Sequence, residues 1–267
     1  MKYGKIINKL WEIYTTQNPQ VQKVYDLFVA HGEEVVNDHI AFRTVDDSRV
    51  DIDALSRVFL ESGYSERGQY SFERKKLFAK HFEHTEDEHA PRVFISHLLT
   101  SQLSGYLQSV VKEAVDAIPE AILGSDELIY SGTVWGTPSF DTYTRLIAES
   151  EYAGWLYVNG FCANHFTVSV NHLKNFTKIE EVNHLLKRNG FVLNDSGGEV
   201  KGTPGQLLEQ SSIKAGMVPV GFSEGTKEVT GCYYEFARRY PGKDGRIFSG
   251  FIADSADRIF ESTDSSR

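Results

Sequence analysis

Three residues far apart in the chain, His39, His165 and Glu235, are of the types that hold a metal ion. The histidines occur in matching contexts, Asp38-His39-Ile40-Ala41-Phe42-Arg43 and Asn164-His165-Phe166-Thr167-Val168-Ser169, offset by 126 residues. Both segments are rich in β-formers and read as strands. Alternate side chains of a strand share a face. His39, Ala41 and Arg43 therefore point one way and Ile40 and Phe42 the other, while His165, Thr167 and Ser169 oppose Phe166 and Val168. In Cys232-Tyr233-Tyr234-Glu235-Phe236-Ala237-Arg238-Arg239, Glu235 shares a face with Tyr233 and Ala237. A carboxylate in so aromatic a strand is costly unless it is paired, and a metal would remove the cost. Two imidazoles and one carboxylate, with positions left open, suit non-haem Fe(II) and some Zn, Mn or Ni enzymes. From the residues alone, two hydrogen-bonded core histidines and an ion-paired glutamate remain the alternative.

Arg43 lies four residues beyond His39 on the same face, about 13 Å along at roughly 3.3 Å per residue. Its fork could clamp a substrate carboxylate, so that a short dicarboxylate bridges metal and guanidinium; the alternative is a rim arginine in a surface ion pair. Ser249, in Phe248-Ser249-Gly250-Phe251, could offer a hydroxyl or backbone N–H to a substrate, although Ser-Gly is also turn chemistry. His81, His84 and His89 fall in the acidic run HFEHTEDEHA, which reads as a solvated hairpin tip. His97 reads as structural. Cys162 and Cys232 each lie three residues before a candidate ligand and read as buried thiols. There is no P-loop, no G-x-G-x-x-G after a strand and no G-x-S-x-G elbow.

The elements that must position these residues repeat. After each histidine strand comes a helical stripe, Ile52, Leu55, Val58, Phe59 and then Ile179, Val182, Leu185, Leu186. Each stripe runs into a Gly-aromatic pair, Gly63-Tyr64 or Gly190-Phe191, where glycine suits a left-handed helix end. β-like stretches follow at 70–84 and 92–99 in the first half, and at 198–202, 207–214 and 229–240 in the second. The expectation is an α+β fold: two βαβββ modules pair their sheets into one curved cup, with additional helices packed around it. The boundaries read as a single domain over 1–267. The first module spans 37–99, a helical connection 100–155 and the second module 156–260. Further helices are expected over 3–15, around Val21, Val24, Tyr25 and Phe28, from Leu103 to a stop at Pro119, and over 140–148. The last residues, STDSSR, read as frayed.

The chain has 267 residues, 40% of them hydrophobic, as an ordinary globular protein has. Its net charge of -9 argues against nucleic-acid or acidic-membrane partners. No apolar run approaches the roughly 20 residues that span a bilayer, and the N-terminus lacks a signal-peptide core. Two cysteines make no disulfide framework, so a reducing cytoplasm is expected. Nothing in the sequence speaks to oligomeric state.

Three motifs carry a resemblance: Asn37-Asp38-His39-Ile40-Ala41-Phe42-Arg43-Thr44, Ala163-Asn164-His165-Phe166-Thr167 and Tyr233-Tyr234-Glu235-Phe236-Ala237-Arg238-Arg239. With the tail Gly250-Phe251-Ile252-Ala253-Asp254-Ser255-Ala256-Asp257, they resemble the Fe(II)-dependent 2-oxoadipate dioxygenase/decarboxylases. The resemblance implies a vicinal-oxygen-chelate-like fold of paired βαβββ modules. It implies His39, His165 and Glu235 as iron ligands, Arg43 as the binder of the substrate's far carboxylate, and Ser249 as a substrate contact. It implies as well a 2-oxo acid and O₂ as reactants: CO₂ leaves and the shortened acid is hydroxylated, so 2-oxoadipate would give 2-hydroxyglutarate, a step of lysine catabolism. Zinc or nickel could occupy the iron site in isolated protein. This chain is shorter than the characterised members, which bears on substrate more than on metal. The rival readings are an O₂-independent Zn, Ni or Mn isomerase, lyase or hydrolase on the same cup, and a non-enzymatic small-acid-binding protein.

Overall fold

The computed structural model describes residues 2–263. Two helices open the chain, α1 (Lys2–Gln17) and α2 (Pro19–Ala30). The first module follows as β1 (Asn37–Val45), α3 (Ile52–Leu60), β2 (Tyr64–Phe72), β3 (Leu77–His84) and β4 (Arg92–Leu98). The connection holds α4 (Gly105–Asp116), α5 (Glu120–Leu123), α6 (Phe140–Glu149) and α7 (Glu151–Asn159). The second module is β5 (Ala163–Ser169), α8 (Ile179–Arg188), β6 (Lys201–Thr203), β7 (Leu208–Ser212) and, after an inserted hairpin of β8 (Met217–Phe222) and β9 (Gly225–Thr230), β10 (Tyr233–Arg239). A last helix, α9 (Ala253–Ile259), closes the described chain.

The eight-stranded sheet is curled, with order β2-β3-β4-β1-β5-β10-β7-β6. Its two halves are built alike. β1 runs parallel to β4, with His39 opposite Arg92 and Ala41 opposite Phe94. β5 runs parallel to β10, with His165 opposite Tyr233 and Thr167 opposite Glu235. The halves meet where β1 and β5 pair antiparallel. This is the α+β architecture of paired βαβββ modules expected from the repeat.

Local chemistry explains the helices. The Asp51 side chain accepts from Ala54 N and caps α3, which buries Ile52, Leu55, Val58 and Phe59. At α8, the Glu181 carboxylate accepts from the backbone N–H of Thr177 and Lys178, and Ile179, Val182 and Leu186 are buried. Gly63 and Gly190 follow at φ +97° and +84°, the left-handed region that the sequence reserves for glycine.

One face of the sheet packs against helices. Phe42 meets Phe59 of α3, Phe166 meets Trp11 and Tyr14 of α1, and Phe236 meets Phe28 of α2. The opposite face carries His39, His165 and Glu235. It is covered by α7, whose Tyr152 hydroxyl accepts from Thr44 N, and by the C-terminal segment with Phe251, Ile259 and Phe260.

Several expectations need correction. Residues 229–240 are two strands, because β9 pairs with β8 in a sheet of its own and β10 joins the large sheet. Helix α7 runs through position 155, where the helical connection was expected to end. Ser262 and Thr263, expected to fray, are buried, and Thr263 accepts from Arg43; residues 264–267 lie outside the described residues. Among the described residues no helix is long and apolar enough to cross a membrane.

Candidate metal centre

β1, β5 and β10 are adjacent in the sheet, so their equivalent faces bring His39, His165 and Glu235 together. All three are buried, and their ligand atoms lie within 4.8 Å of one another. His39 Nε2 is 3.4 Å from His165 Nε2 and 3.5 Å from Glu235 Oε1, while His165 Nε2 is 3.2 Å from Glu235 Oε2. Thr167 Oγ1 sits 3.0 Å from His39 Nε2.

The neighbours set the protonation. His39 Nδ1 is 2.8 Å from Asp38 Oδ1, and an ionised carboxylate only accepts, so Nδ1 carries the proton and Nε2 keeps its lone pair. His165 Nδ1 faces Asn164 Oδ1 at 3.1 Å, which favours the same tautomer. Burial lowers the His39 pKa in spite of Asp38. Burial, reinforced by His39 and Arg43, lowers that of His165 well below its ordinary value. Both rings are thus neutral, the form that ligates. Burial pushes the Glu235 carboxyl up to about 8, against the opposing hydrogen bond that Gln210 Nε2 donates to Oε1 at 2.6 Å.

Two imidazole lone pairs and a carboxylate aimed at one point repel one another unless a proton or a cation lies between them. The donor set of two nitrogens and one oxygen fits a divalent first-row metal. Asp38 completes the support. Burial opposes its charge, yet the Arg239 guanidinium and the bonds from His39 and Arg239 hold it well below the usual carboxylate range. Arg239 grips it through Nε at 2.7 Å and Nη2 at 2.9 Å, and Nη1 donates to the carbonyls of Phe248 and Gly250. A carboxylate behind a ligating histidine fixes the ring and raises its basicity.

A cavity of about 280 Å³ opens onto the three residues, walled by Phe94, Gln210, Tyr233, Phe251, Ala256, Ile259 and Phe260. Tyr233 stacks on the His165 ring at 4.5 Å, and its buried hydroxyl has no partner. The other described cavity, about 400 Å³, is lined by apolar side chains such as Val110, Trp135 and Leu156 and contains no His, Cys, Asp or Glu.

The sequence profile of the 2-oxoadipate dioxygenase/decarboxylase family matches residues 3–246. The chain belongs to that family. The 2-oxoadipate dioxygenase/decarboxylase of Arabidopsis thaliana, a chloroplastic protein, is 33% identical over 286 residues, spanning 98% of this chain and 77% of its own. Rice hydroxyglutarate synthase, solved in complex with 2-oxoadipate, superposes with a TM-score of 0.89 at 29% identity, covering 98% of this chain and 92% of that one. A Shewanella frigidimarina NCIMB 400 protein, described provisionally as a hydrolase, gives 0.88 at 46% identity, covering 94% and 97%. A Ralstonia eutropha JMP134 protein, assigned provisionally to the glyoxalase superfamily, gives 0.75 at 22% identity over 91% and 83%, which shows the fold alone. This family member is therefore an enzyme of the dioxygenase/decarboxylase class on a vicinal-oxygen-chelate-like scaffold.

The remaining residues singled out from the enzyme's sequence fall in different places. Arg43 is 1% exposed, so it is no rim arginine. Its guanidinium stands 4.9 Å from the ring centres of Tyr152 and Trp155 and 5.8 Å from that of Phe260, a cavity wall. Ser249 bonds Glu83 and is not among the residues lining the cavity; the family profile ends three positions before it. His81 is buried rather than solvated, held between the Tyr70 hydroxyl and Glu83 and packed on Phe251. His89 is exposed, as expected. His97 lies against Phe78 with the rings tilted, and it is not among the residues lining the cavity. Both cysteines are free and buried. The sequence reading missed Gln210, Tyr233 as a wall residue, Phe251 and the Asp38–Arg239 pair. The last had a signal: Asp38 directly precedes a candidate ligand, and Arg239 ends the strand that carries Glu235.

Proposed function

We propose that the enzyme is an Fe(II)-dependent dioxygenase that converts a 2-oxo dicarboxylic acid to the hydroxy acid one carbon shorter and CO₂, as from 2-oxoadipate to 2-hydroxyglutarate. The observation that carries the reading is the convergence of two imidazole nitrogens and a buried carboxyl group on one point of a cavity, in a chain of this family. Iron, when bound, would supply a Lewis acid for the 2-oxo acid to chelate and a site at which O₂ is activated. His39, His165 and Glu235 would hold the ion. Asp38 and Asn164 keep each Nδ1 protonated and each Nε2 free, and Gln210 fixes the Glu235 carboxylate. Phe94, Phe251 and Phe260 exclude bulk water from the reacting carbon, and the Tyr233 hydroxyl is placed to donate to a substrate oxygen. Arg43 is the proposed partner of the far carboxylate, supported by its burial beside Phe260. A cytoplasmic setting is proposed as well, in keeping with two free, buried thiols.

Oxygen uptake by anaerobically iron-loaded protein, given 2-oxoadipate and followed by mass spectrometry, tests the reading. One CO₂ and one 2-hydroxyglutarate per O₂ are expected. Iron-loaded protein that consumes no O₂ with 2-oxoadipate or other 2-oxo acids would overturn it in favour of an O₂-independent enzyme or a binding role.

A further inference from the structure

Arg43 is buried, yet it is not alone. Its Nη1 lies 3.1 and 3.3 Å from the two carboxylate oxygens of Glu151, its Nη2 donates to Thr263 Oγ1 at 2.8 Å, and its Nε has no partner. Among the described residues Glu151 is its only ion-pair partner. The rings of Tyr152, Trp155 and Phe260 also stand against it and offer no anion. A guanidinium in such a place without a carboxylate would be strongly destabilising.

The two members of the pair differ in freedom. Arg43 leaves from the later part of a central strand and is 1% exposed, whereas the Glu151 side chain is 26% exposed at the first position of α7. Ser150 caps that helix by accepting from Ala153 N, so the helix start holds without Glu151. A carboxylate at a helix N-terminus is favoured there even when it turns to solvent. Glu151 itself can therefore turn to solvent at small cost where another carboxylate takes its place, and Arg43 cannot leave at all. Arg43 stands behind the cavity wall, its guanidinium 5.8 Å from the Phe260 ring centre, and neither it nor Glu151 is among the lining residues.

We infer that Glu151 is a specificity-determining residue: an internal stand-in for the substrate's far carboxylate, which occupies Arg43 in the resting enzyme and is displaced by a dicarboxylate. The inference rests on the functional reading above. A 2-oxo acid with an apolar end does not displace Glu151 and meets an arginine already neutralised. A 2-oxo dicarboxylic acid trades one carboxylate for another, so its affinity is a difference between two ion pairs. Glu151 thereby keeps the empty site stable and weakens dicarboxylate binding.

The test is calorimetric binding of 2-oxoadipate and 2-oxohexanoate, which differ only in a terminal carboxylate against a methyl, to iron-loaded protein without O₂. Glu151→Gln should bind 2-oxoadipate about tenfold more tightly than the wild type, with 2-oxohexanoate changed less than about twofold. Glu151→Asp, charged but a methylene shorter, should fall between and guards against a folding defect in the first variant. Wild-type binding of 2-oxoadipate with unchanged or weaker binding in both variants would overturn the inference and leave Glu151 as a strut for Arg43. The functional reading would survive that result. A wild type that binds neither acid would remove the reading, and the inference with it.

Discussion

Replacing Asp38 by Asn should separate what Asp38 does for the metal from what it does for the fold. Asp38 accepts from His39 Nδ1 at 2.8 Å and from Arg239 Nε and Nη2 at 2.7 and 2.9 Å, and it is 5% exposed. Asn keeps the volume and one acceptor oxygen but removes the charge. On the metal side, losing the carboxylate behind a ligating histidine costs roughly 10–100-fold in affinity, which is about 1.4–2.8 kcal/mol. On the folding side, Arg239 keeps the carbonyls of Phe248 and Gly250 but loses its anion. Breaking one side of a buried pair costs about 3–5 kcal/mol, and the retained amide oxygen puts Asn near the lower figure. Against the roughly 5–15 kcal/mol of a typical domain, the variant should fold with a clearly reduced urea midpoint. Adding Arg239→Met removes the more buried of the two orphaned charges, the other being Arg92 at 3.6 Å from Asp38, so stability should partly return while metal affinity stays low. Urea unfolding of metal-free protein and a competitive metal titration read the two effects separately. A Asp38→Asn protein that loses under about 1 kcal/mol and binds metal as before would refute the account of Asp38 as the shared support of ligand and loop.

Three further outcomes follow from the same geometry. His39→Ala should abolish stoichiometric metal binding and turnover together; a variant that still binds one equivalent with native affinity would remove His39 from the ligand set. Arg43→Ala should retain iron while kcat/KM for 2-oxoadipate falls about 10–100-fold, the worth of a charge-assisted bond; unchanged kinetics would sink the clamp. Burial raises Glu235 to about 8 in the folded chain from about 4.3 in an unfolded one. The folded metal-free protein therefore favours the protonated acid. Its penalty for ionising Glu235 is absent below about pH 4 and grows as pH rises toward 8. A divalent metal reverses that penalty, so the metal-induced rise in Tm should be larger at pH 8 than at pH 6, with a proton released on binding at pH 7. A metal effect that is flat across this range would contradict it.

Much of this was legible because the informative elements obey short periods. His39, His165 and Glu235 fall on one side of the sheet by strand parity, and the matching stripes Ile52-Leu55-Val58-Phe59 and Ile179-Val182-Leu185-Leu186 announce the two modules. Helix α7 shows the limit of that reading. Tyr152, Ala153, Gly154, Trp155, Leu156 and Val158 are all buried, so no apolar stripe stands out against a polar face, and the helix that supplies Glu151 is silent in the sequence. His81 was misjudged because the acidic residues that follow it colour the whole run, although the strand reaches His84. Gln210, Phe251 and Arg239 join the site through pairings of β7, β10 and the C-terminal segment that no local pattern encodes. The position of Ser249 could not be read from turn chemistry, which is the same whether a hydroxyl faces a substrate or Glu83.

The pairing of β1 with β4 and of β5 with β10 has one more consequence. His39 and His165 are counterparts, and two residues on from each stand Ala41 and Thr167. Their cross-strand neighbours are Phe94 and Glu235, so these two residues hold equivalent stations in the two modules. A duplicated scaffold offers ligand stations in pairs, four in all, enough to enclose an ion on every side. Here one station of the second pair has been given to a phenyl ring. An ion held by the other three would meet hydrocarbon at the fourth, which leaves room for a ligand from outside the protein. The symmetry of the scaffold sets where ligands can stand, and the ring at the fourth station would leave a bound ion open to a reactant.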